Sequence, residues 1–368
     1  MKYYKLTALL PALALLFSLA ACEFGTDNPT GGPTQEATAT VSPTEDPSDE
    51  PANTSGLEPA IRLAVLSGPT GIGAARLLDS SDNNPISLHA SYEYAIYSDN
   101  SELVAGLTTG EIDIATMASN VAVNLYNKTR DVRIIAGGTL GVLHILEGSG
   151  GDSIHDLEDL RGKTVWSAGQ GANPEYILRH LLAQSGLEAV TGEDAVPDDA
   201  GGYVKIVFAD AGEIQAKLLS GDIQYAMLPV PAATAAIARG EGKVRAAIDV
   251  TEVWDELRSG SQLVMTAVVA RGSFVEEHPE LVDAFLADYE ESIRYVINNL
   301  DAAAELVAGY GIAPSAAIAK QAIPQCHLVF LSGNDMVSAM SGYFHVLWSI
   351  DPASVGGSVP DDGIYYIR

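Results

Sequence analysis

Asp99–Ala118 reads DNSELVAGLTTGEIDIATMA and Asp210–Pro229 reads DAGEIQAKLLSGDIQYAMLP; the two stretches align without a gap at an offset of 111 residues. Asp99 pairs with Asp210, Glu102 with Glu213, Leu103 with Ile214, Leu107 with Leu218, Gly110 with Gly221, Glu111 with Asp222, Ile112 with Ile223 and Ala115 with Ala226. In each copy, apolar residues at helical spacing, a glycine and a short apolar run describe an amphipathic helix, a glycine C-cap and a buried strand. Shared secondary structure explains the apolar matches. The matched acids and glycines point further, to a duplicated α/β architecture.

Each copy is preceded by a second repeated unit. Ile61–Leu66 is a β-rich run that meets the turn Ser67-Gly68-Pro69-Thr70-Gly71-Ile72-Gly73 and then the helical Ala74–Leu78. Lys163–Ser167 likewise meets Gly169-Gln170-Gly171-Ala172-Asn173-Pro174 and then Glu175–Leu178, with Pro174 suited to a first helical turn. The β-rich run Leu263–Ala270 then leads into helical patterns from Pro279 to the end, and these are expected to pack back on the first lobe. The predicted fold class is therefore α/β, with two similar lobes joined by two hinge crossings and a ligand cleft between them. Residues 60–140 plus 260–368 form lobe one, and 141–259 lobe two. Ligands of open α/β sheets sit outside the carboxyl ends of the strands, which puts the site in that cleft.

Composition narrows the function. The 368 residues exceed what one core comfortably organises. Acids outnumber bases 48 to 20, a formal net charge of −28, which speaks against nucleic acid and against electrostatic docking on an anionic membrane. Two cysteines support neither a disulfide scaffold nor a four-thiolate metal site. There is no HExxH, GxSxG, P-loop or C-x-x-C, and the seven histidines lack metal-ligand spacing. No catalytic or metal-binding residue is therefore predicted, and no cofactor. Gly71-Ile72-Gly73 only faintly suggests a dinucleotide loop, because the third small residue is displaced. His144, in the segment where the chain crosses between lobes, reads as a satisfied structural histidine, and Cys326 as inert packing.

The start of the chain reads as an address. Lys2 and Lys5 precede the apolar run Leu6–Leu19, too short for a comfortable membrane span. The following Leu19-Ala20-Ala21-Cys22 resembles the lipobox of bacterial lipoproteins. That resemblance implies cleavage before Cys22, lipidation of its sulfur and anchoring to the outer face of the cell membrane, several acyl chains giving the stable attachment one cannot. Residues 23–59 are rich in Pro, Thr and acids and hold no Lys or Arg, the composition of a disordered tether spanning on the order of 35 Å.

With lipobox, acidic tether, LxxGEIDIA in one lobe and LxxGDIQYA in the other, the chain resembles the type II periplasmic-binding-protein-like solute receptors of ABC importers. The run Asp156–Val165, DLEDLRGKTV, is similar to the DLxGKxV segment of the group related to sulfonate, nitrate, taurine and thiamine-precursor receptors. His278-Pro279-Glu280-Leu281-Val282 is similar to the segment opening their C-terminal helices. The resemblance implies a monomeric receptor for a small solute (sulfonate-, pyrimidine- or amino-acid-like) that hands it to an ABC permease. It touches the membrane through its lipid alone and binds no nucleic acid. A sensing receptor of the same fold feeding a signalling partner and an exported enzyme are the alternatives.

Candidate ligand contacts sit at helix starts, where free N–H groups suit polar ligand groups. They are Gly68, Thr70 and Gly71; Ser119 and Asn120; Gly169, Gln170, Gly171 and Asn173; Asp210; and Pro229. For the glycines, a tight turn and close approach to a ligand are compatible readings. Ser119, Asn120 and Asn173 suit helix caps equally. Asp210 and Glu213 suit either a cationic or NH-bearing ligand or a solvated loop, and Trp166 and Tyr97 either a stacked ring or the core. None of these loops holds an arginine for a sulfonate.

Overall fold

The two repeat copies become two strand–helix–strand units, each with its helix closed by a glycine in the left-handed region: Gly110 at φ 78° and Gly221 at φ 84°. A side chain at either position would be strained, which is why both copies spell glycine there. The structure is a computed structural model that describes residues 58–192, 196–199, 201–257 and 261–367. The expected signal segment, Cys22 and nearly all of the 23–59 tether lie outside the described residues.

The chain lays down β1 (Ile61–Leu66), β2 (Tyr92–Tyr97), β3 (Ile114–Ala118) and β4 (Val132–Thr139) in a first sheet. It crosses to a second sheet for β5 (Leu143–Glu147), β6 (Thr164–Ser167), β7 (Glu188–Thr191), β8 (Tyr203–Phe208), β9 (Tyr225–Pro229) and β10 (Arg245–Asp249). It returns to the first for β11 (Thr266–Arg271) and β12 (Leu328–Leu331). In the first lobe α1 (Pro69–Ile72) and α2 (Ala75–Asn83) follow β1, α3 (Asn100–Thr109) joins β2 to β3, and α4 (Ser119–Thr129) follows β3. In the second, α5 (Asn173–Gln184) follows β6, α6 (Ala211–Ser220) joins β8 to β9, and α7 (Ala232–Arg239) and α8 (Val250–Glu256) flank β10. The remaining helices are α9 (Gly272–Glu277), α10 (Pro279–Asn298), α11 (Leu300–Gly309), α12 (Ala316–Ala322) and, after β12, α13 (Gly333–Ile350).

The duplication extends to sheet order. The first sheet runs β12-β4-β11-β3-β1-β2 and the second β10-β5-β9-β6-β8-β7. In each, the strand that leads into the glycine-rich turn is parallel to both neighbours: β1 to β2 and β3, and β6 to β8 and β9. In each, the next strand outward is antiparallel: β11 beside β3, β5 beside β9. Those two strands are the ones the chain enters directly after crossing, so the crossings sit at equivalent places in the two sheets. The lobes pack as one compact unit.

Two departures from the sequence reading have physical causes. The C-terminal region is not helical throughout: Leu-Val-Phe-Leu of β12 pairs antiparallel with β4. A four-residue apolar run carries no period that separates strand from helix. Nor do the last helices pack on the first lobe alone. The helix α10 packs on α2, but α12 touches α7 and α13 lies against α5 of the second lobe.

A buried carboxylate clamps each sheet. Asp113, 3% exposed, accepts from the Arg62 amide (3.1 Å), Arg62 Nε (2.8 Å) and Arg271 Nη2 (3.0 Å), tying β1 and β11 at the foot of β3. Glu147, fully buried, accepts from the amide and hydroxyl of Ser153 and from Arg245 Nη2 (2.7 Å). Burial works to raise both pKa values, but these hydrogen bonds outweigh it and hold both below the ordinary range. A depressed folded-state pKa contributes stability that is complete above the unfolded value, about 4, and is lost as pH falls through the folded value. The clamps are therefore expected to add no slope to the urea midpoint from neutrality down to about pH 5 and to make it fall steeply below about pH 4. A midpoint that rises on acidification would contradict the clamps.

Candidate functional site

Both sheets end at a shared cleft of about 730 Å³. The first lobe contributes Ser98, Asp99 and Asn100 after β2, and Val121 on α4. The second contributes Trp166 of β6 with Gly169–Ala172, and Val207–Asp210 with Glu213 at the end of β8 and the start of α6. All but Val121 and Glu213 lie at or just beyond the carboxyl ends of strands, where the open α/β rule places ligands. Trp166 and Phe208 give the cleft flat apolar walls, and Asp99, Asp210 and Glu213 supply its charge.

Of the candidate contacts, Gly169, Gln170, Gly171 and Asp210 line this cleft. Ser119 is fully buried; its hydroxyl donates to Val264 O (2.7 Å) and its amide to Met265 O (3.0 Å). The start of α4 is therefore used by the returning chain. Asn173 is likewise buried between the lobes. Its Nδ2 donates to Ser119 Oγ (3.1 Å) and Met265 O (3.0 Å), and its Oδ1 accepts from Tyr343 Oη (3.0 Å). Asn120 reaches across to Gly171 O (3.3 Å). Gly68, Thr70, Gly71 and Pro229 are not among the lining residues.

Gly71 has a packing reason to be glycine, since a Cβ there would lie 2.4 Å from Leu66 O. Gly71→Ala is expected to cost about 1–3 kcal/mol of stability, as overpacking does, while leaving ligand affinity of the folded protein unchanged. A thermal melt and a titration on the same sample separate the two; lost affinity at full stability would return Gly71 to the site.

Sequence reasoning picks out Asp210 yet passes over Asp99. The signal was present: Asp99 is Asp210's counterpart in the repeat, and each is the N-cap of the helix after its strand. Trp166 and Glu213 also reach the cleft, whereas Tyr97 does not line it.

Below the cleft the two crossings run side by side. Met265 N donates to Thr139 O (3.0 Å), and the hydroxyls of Thr139 and Thr266 are 2.6 Å apart. His327 Nδ1 lies 2.6 Å from Gly141 O. His144 is buried, with Nδ1 3.8 Å from Asp249 Oδ2; burial holds its pKa below the usual histidine value despite that carboxylate. Cys326 is fully buried and its thiol, pushed up to about 12 by burial, is not a nucleophile at neutral pH. Among the described residues no group of three or more His, Cys, Asp or Glu is arranged to hold a metal ion, and no helix is long and apolar enough to cross a membrane.

Two sheets of matching order, two crossings and a cleft at the strand ends define the periplasmic-binding-protein fold, and solved structures agree. An ABC transporter from Parabacteroides distasonis superposes with a TM-score of 0.68 at 24% identity, over 84% of this chain and 99% of that one. The periplasmic aliphatic sulphonate binding protein SsuA from Escherichia coli gives 0.65 at 15% identity, over 83% and 92%. A Candida albicans gene product described as having the generic periplasmic binding protein structural fold gives 0.53 at 15%, over 83% and 94%. No curated protein sequence matches the chain. The family model for NMT1/THI5-like proteins matches residues 93–303, more than half of the sequence, and the chain belongs to that family.

Proposed function

We propose that this protein is an extracytoplasmic solute receptor, held to the cell membrane by a lipid on Cys22, that closes two lobes on one small organic molecule and delivers it to an ABC importer. The observation that carries the reading is the cleft itself: its walls come from both lobes, at the carboxyl ends of their strands, above a pair of adjoining crossings. Residues 60–140 with 260–368 and residues 141–259 are the two moving bodies, and closure is a shift in an open–closed equilibrium set by differential binding. The fold relatives described as an ABC transporter and as a sulphonate binding protein support transport over catalysis. Sulfonate-, pyrimidine- and amino-acid-like solutes are the candidate classes, and the protein acts as a monomer.

Native mass spectrometry of the protein purified without denaturation tests this. One small molecule per chain, released unchanged on unfolding, is the expected result. Chemical conversion of the released molecule on re-incubation would overturn the reading in favour of an enzyme. Cys22→Ala is expected to move the protein from the membrane fraction to the soluble one.

A further inference from the structure

The charge around the cleft selects the kind of solute, an inference that rests on the solute-receptor reading. Helix starts ordinarily attract anions, and four helices, α3 to α6, begin at the cleft. The start of α4 is covered by the returning chain, and each of the other three carries its own carboxylate. Asp99 caps α3, accepting from Ser101 N (2.6 Å). Glu175 of α5 accepts from the amide of Gly171 in the cleft loop (2.9 Å) and is held by Arg179. At α6, Asp210 stands at the N-cap and Glu213 in the first turn. At α3 and α5, amides that would have gripped a sulfonate or carboxylate are already bonded to the protein's own acids, and at α6 the two acids add negative charge without a side-chain cap bond.

The lining adds Asp99, Asp210 and Glu213 and contains no Lys, Arg or His. One cation stands close by: Lys217 Nζ lies 3.7 Å from Glu213 Oε1 and 5.2 Å from the Trp166 ring. It offsets Glu213, and among the described residues Asp99 and Asp210, one from each lobe, form no ion pair. Two aromatic side chains of the lining, Trp166 and Phe208, stand with these acids, so uncompensated negative charge and a flat apolar face occur in one cleft.

We propose that the cleft takes an organic cation, a protonated amine or amidinium on a flat apolar body, with its N–H groups shared between Asp99 of one lobe and Asp210 of the other and its body against Trp166 and Phe208. A cation over an aromatic face gains further attraction. Because the two acids belong to different lobes, the cation also draws the lobes together, so charge recognition and closure are one event.

Benzamidinium, benzamide and benzenesulfonate share a ring and differ in head charge, and each can be added at millimolar concentration in a thermal-shift titration. Benzamidinium is expected to raise the melting temperature most, with an affinity that falls with added salt. The shift is expected to weaken about tenfold in apparent affinity in the Asp99→Asn, Asp210→Asn double variant. A larger shift with benzenesulfonate or benzamide overturns the cation class; if that shift disappears in Trp166→Ala, the receptor reading and its cleft stand. A benzamidinium shift unchanged in the double variant overturns the placement. No shift with any probe overturns the proposed class, and the native mass spectrum then decides the receptor reading separately.

Discussion

Asn173→Leu is expected to destabilise the protein by about 2–4 kcal/mol, lowering the melting temperature by roughly 10 °C. The side chain is 1% exposed and makes three hydrogen bonds. Leucine matches its volume but orphans the buried Tyr343 Oη and removes one donor each from Met265 O, which keeps the Ser119 amide, and from Ser119 Oγ. A buried orphan costs about 1–3 kcal/mol, more than the net value of the bond itself, and the other two lost bonds add to it. The effect reaches beyond stability because the partners lie on three different parts of the chain: the start of α4, the returning crossing and α13. Asn173 fastens α5 of the second lobe to the pivot. If this is its role, the folded fraction of the variant still binds ligand with near-normal affinity. A variant of full stability that has lost binding would instead make Asn173 a ligand contact.

Asp113→Ala is expected to cost about 2–4 kcal/mol, somewhat below a fully buried pair because Arg62 is 40% exposed and can be rehydrated. Arg271, 19% exposed, cannot be relieved so fully, and its Nε already has no partner among the described residues. Asp113→Asn retains one acceptor and is expected to lose less. The same substitutions should flatten the acid limb of the stability profile in part, since one of the two carboxylates whose protonation drives it is gone and Glu147 remains. Equal melting temperatures for Asp113→Ala and the parent would show that the clamp carries no net energy.

The fold was largely legible because duplication writes itself twice. Gly110 and Gly221 end their helices in the same left-handed conformation, and Asp99 and Asp210 begin them at the same N-cap position, so each copy confirms the other. The strand β12 escaped because four apolar residues have no period, and α13 because sequence does not say which lobe a helix leans on. The site was legible only in part. Gly169 to Gly171 and Asp210 belong to loops that can point nowhere but the cleft. Ser119, Asn120 and Asn173 are also polar residues at helix starts, and nothing in their spelling distinguishes a side chain facing solvent from one facing the other lobe. The contacts that claimed them, Val264 and Met265 of the return crossing for Ser119 and Asn173, Gly171 and Ser354 for Asn120, lie far away in sequence. Gly71 shows the same limit: its missing Cβ makes room for a backbone carbonyl, a requirement only the folded chain reveals.

Hydrogen–deuterium exchange with and without the bound solute reports where the molecule sits whatever its identity. Exchange is expected to slow in both lobes together, in the loop at Ser98–Asn100 and α3's first turn, in Trp166–Ala172, and in Val207–Glu213. Protection confined to one lobe, or found instead in the groove by Leu286, Phe330 and Tyr366, would contradict it.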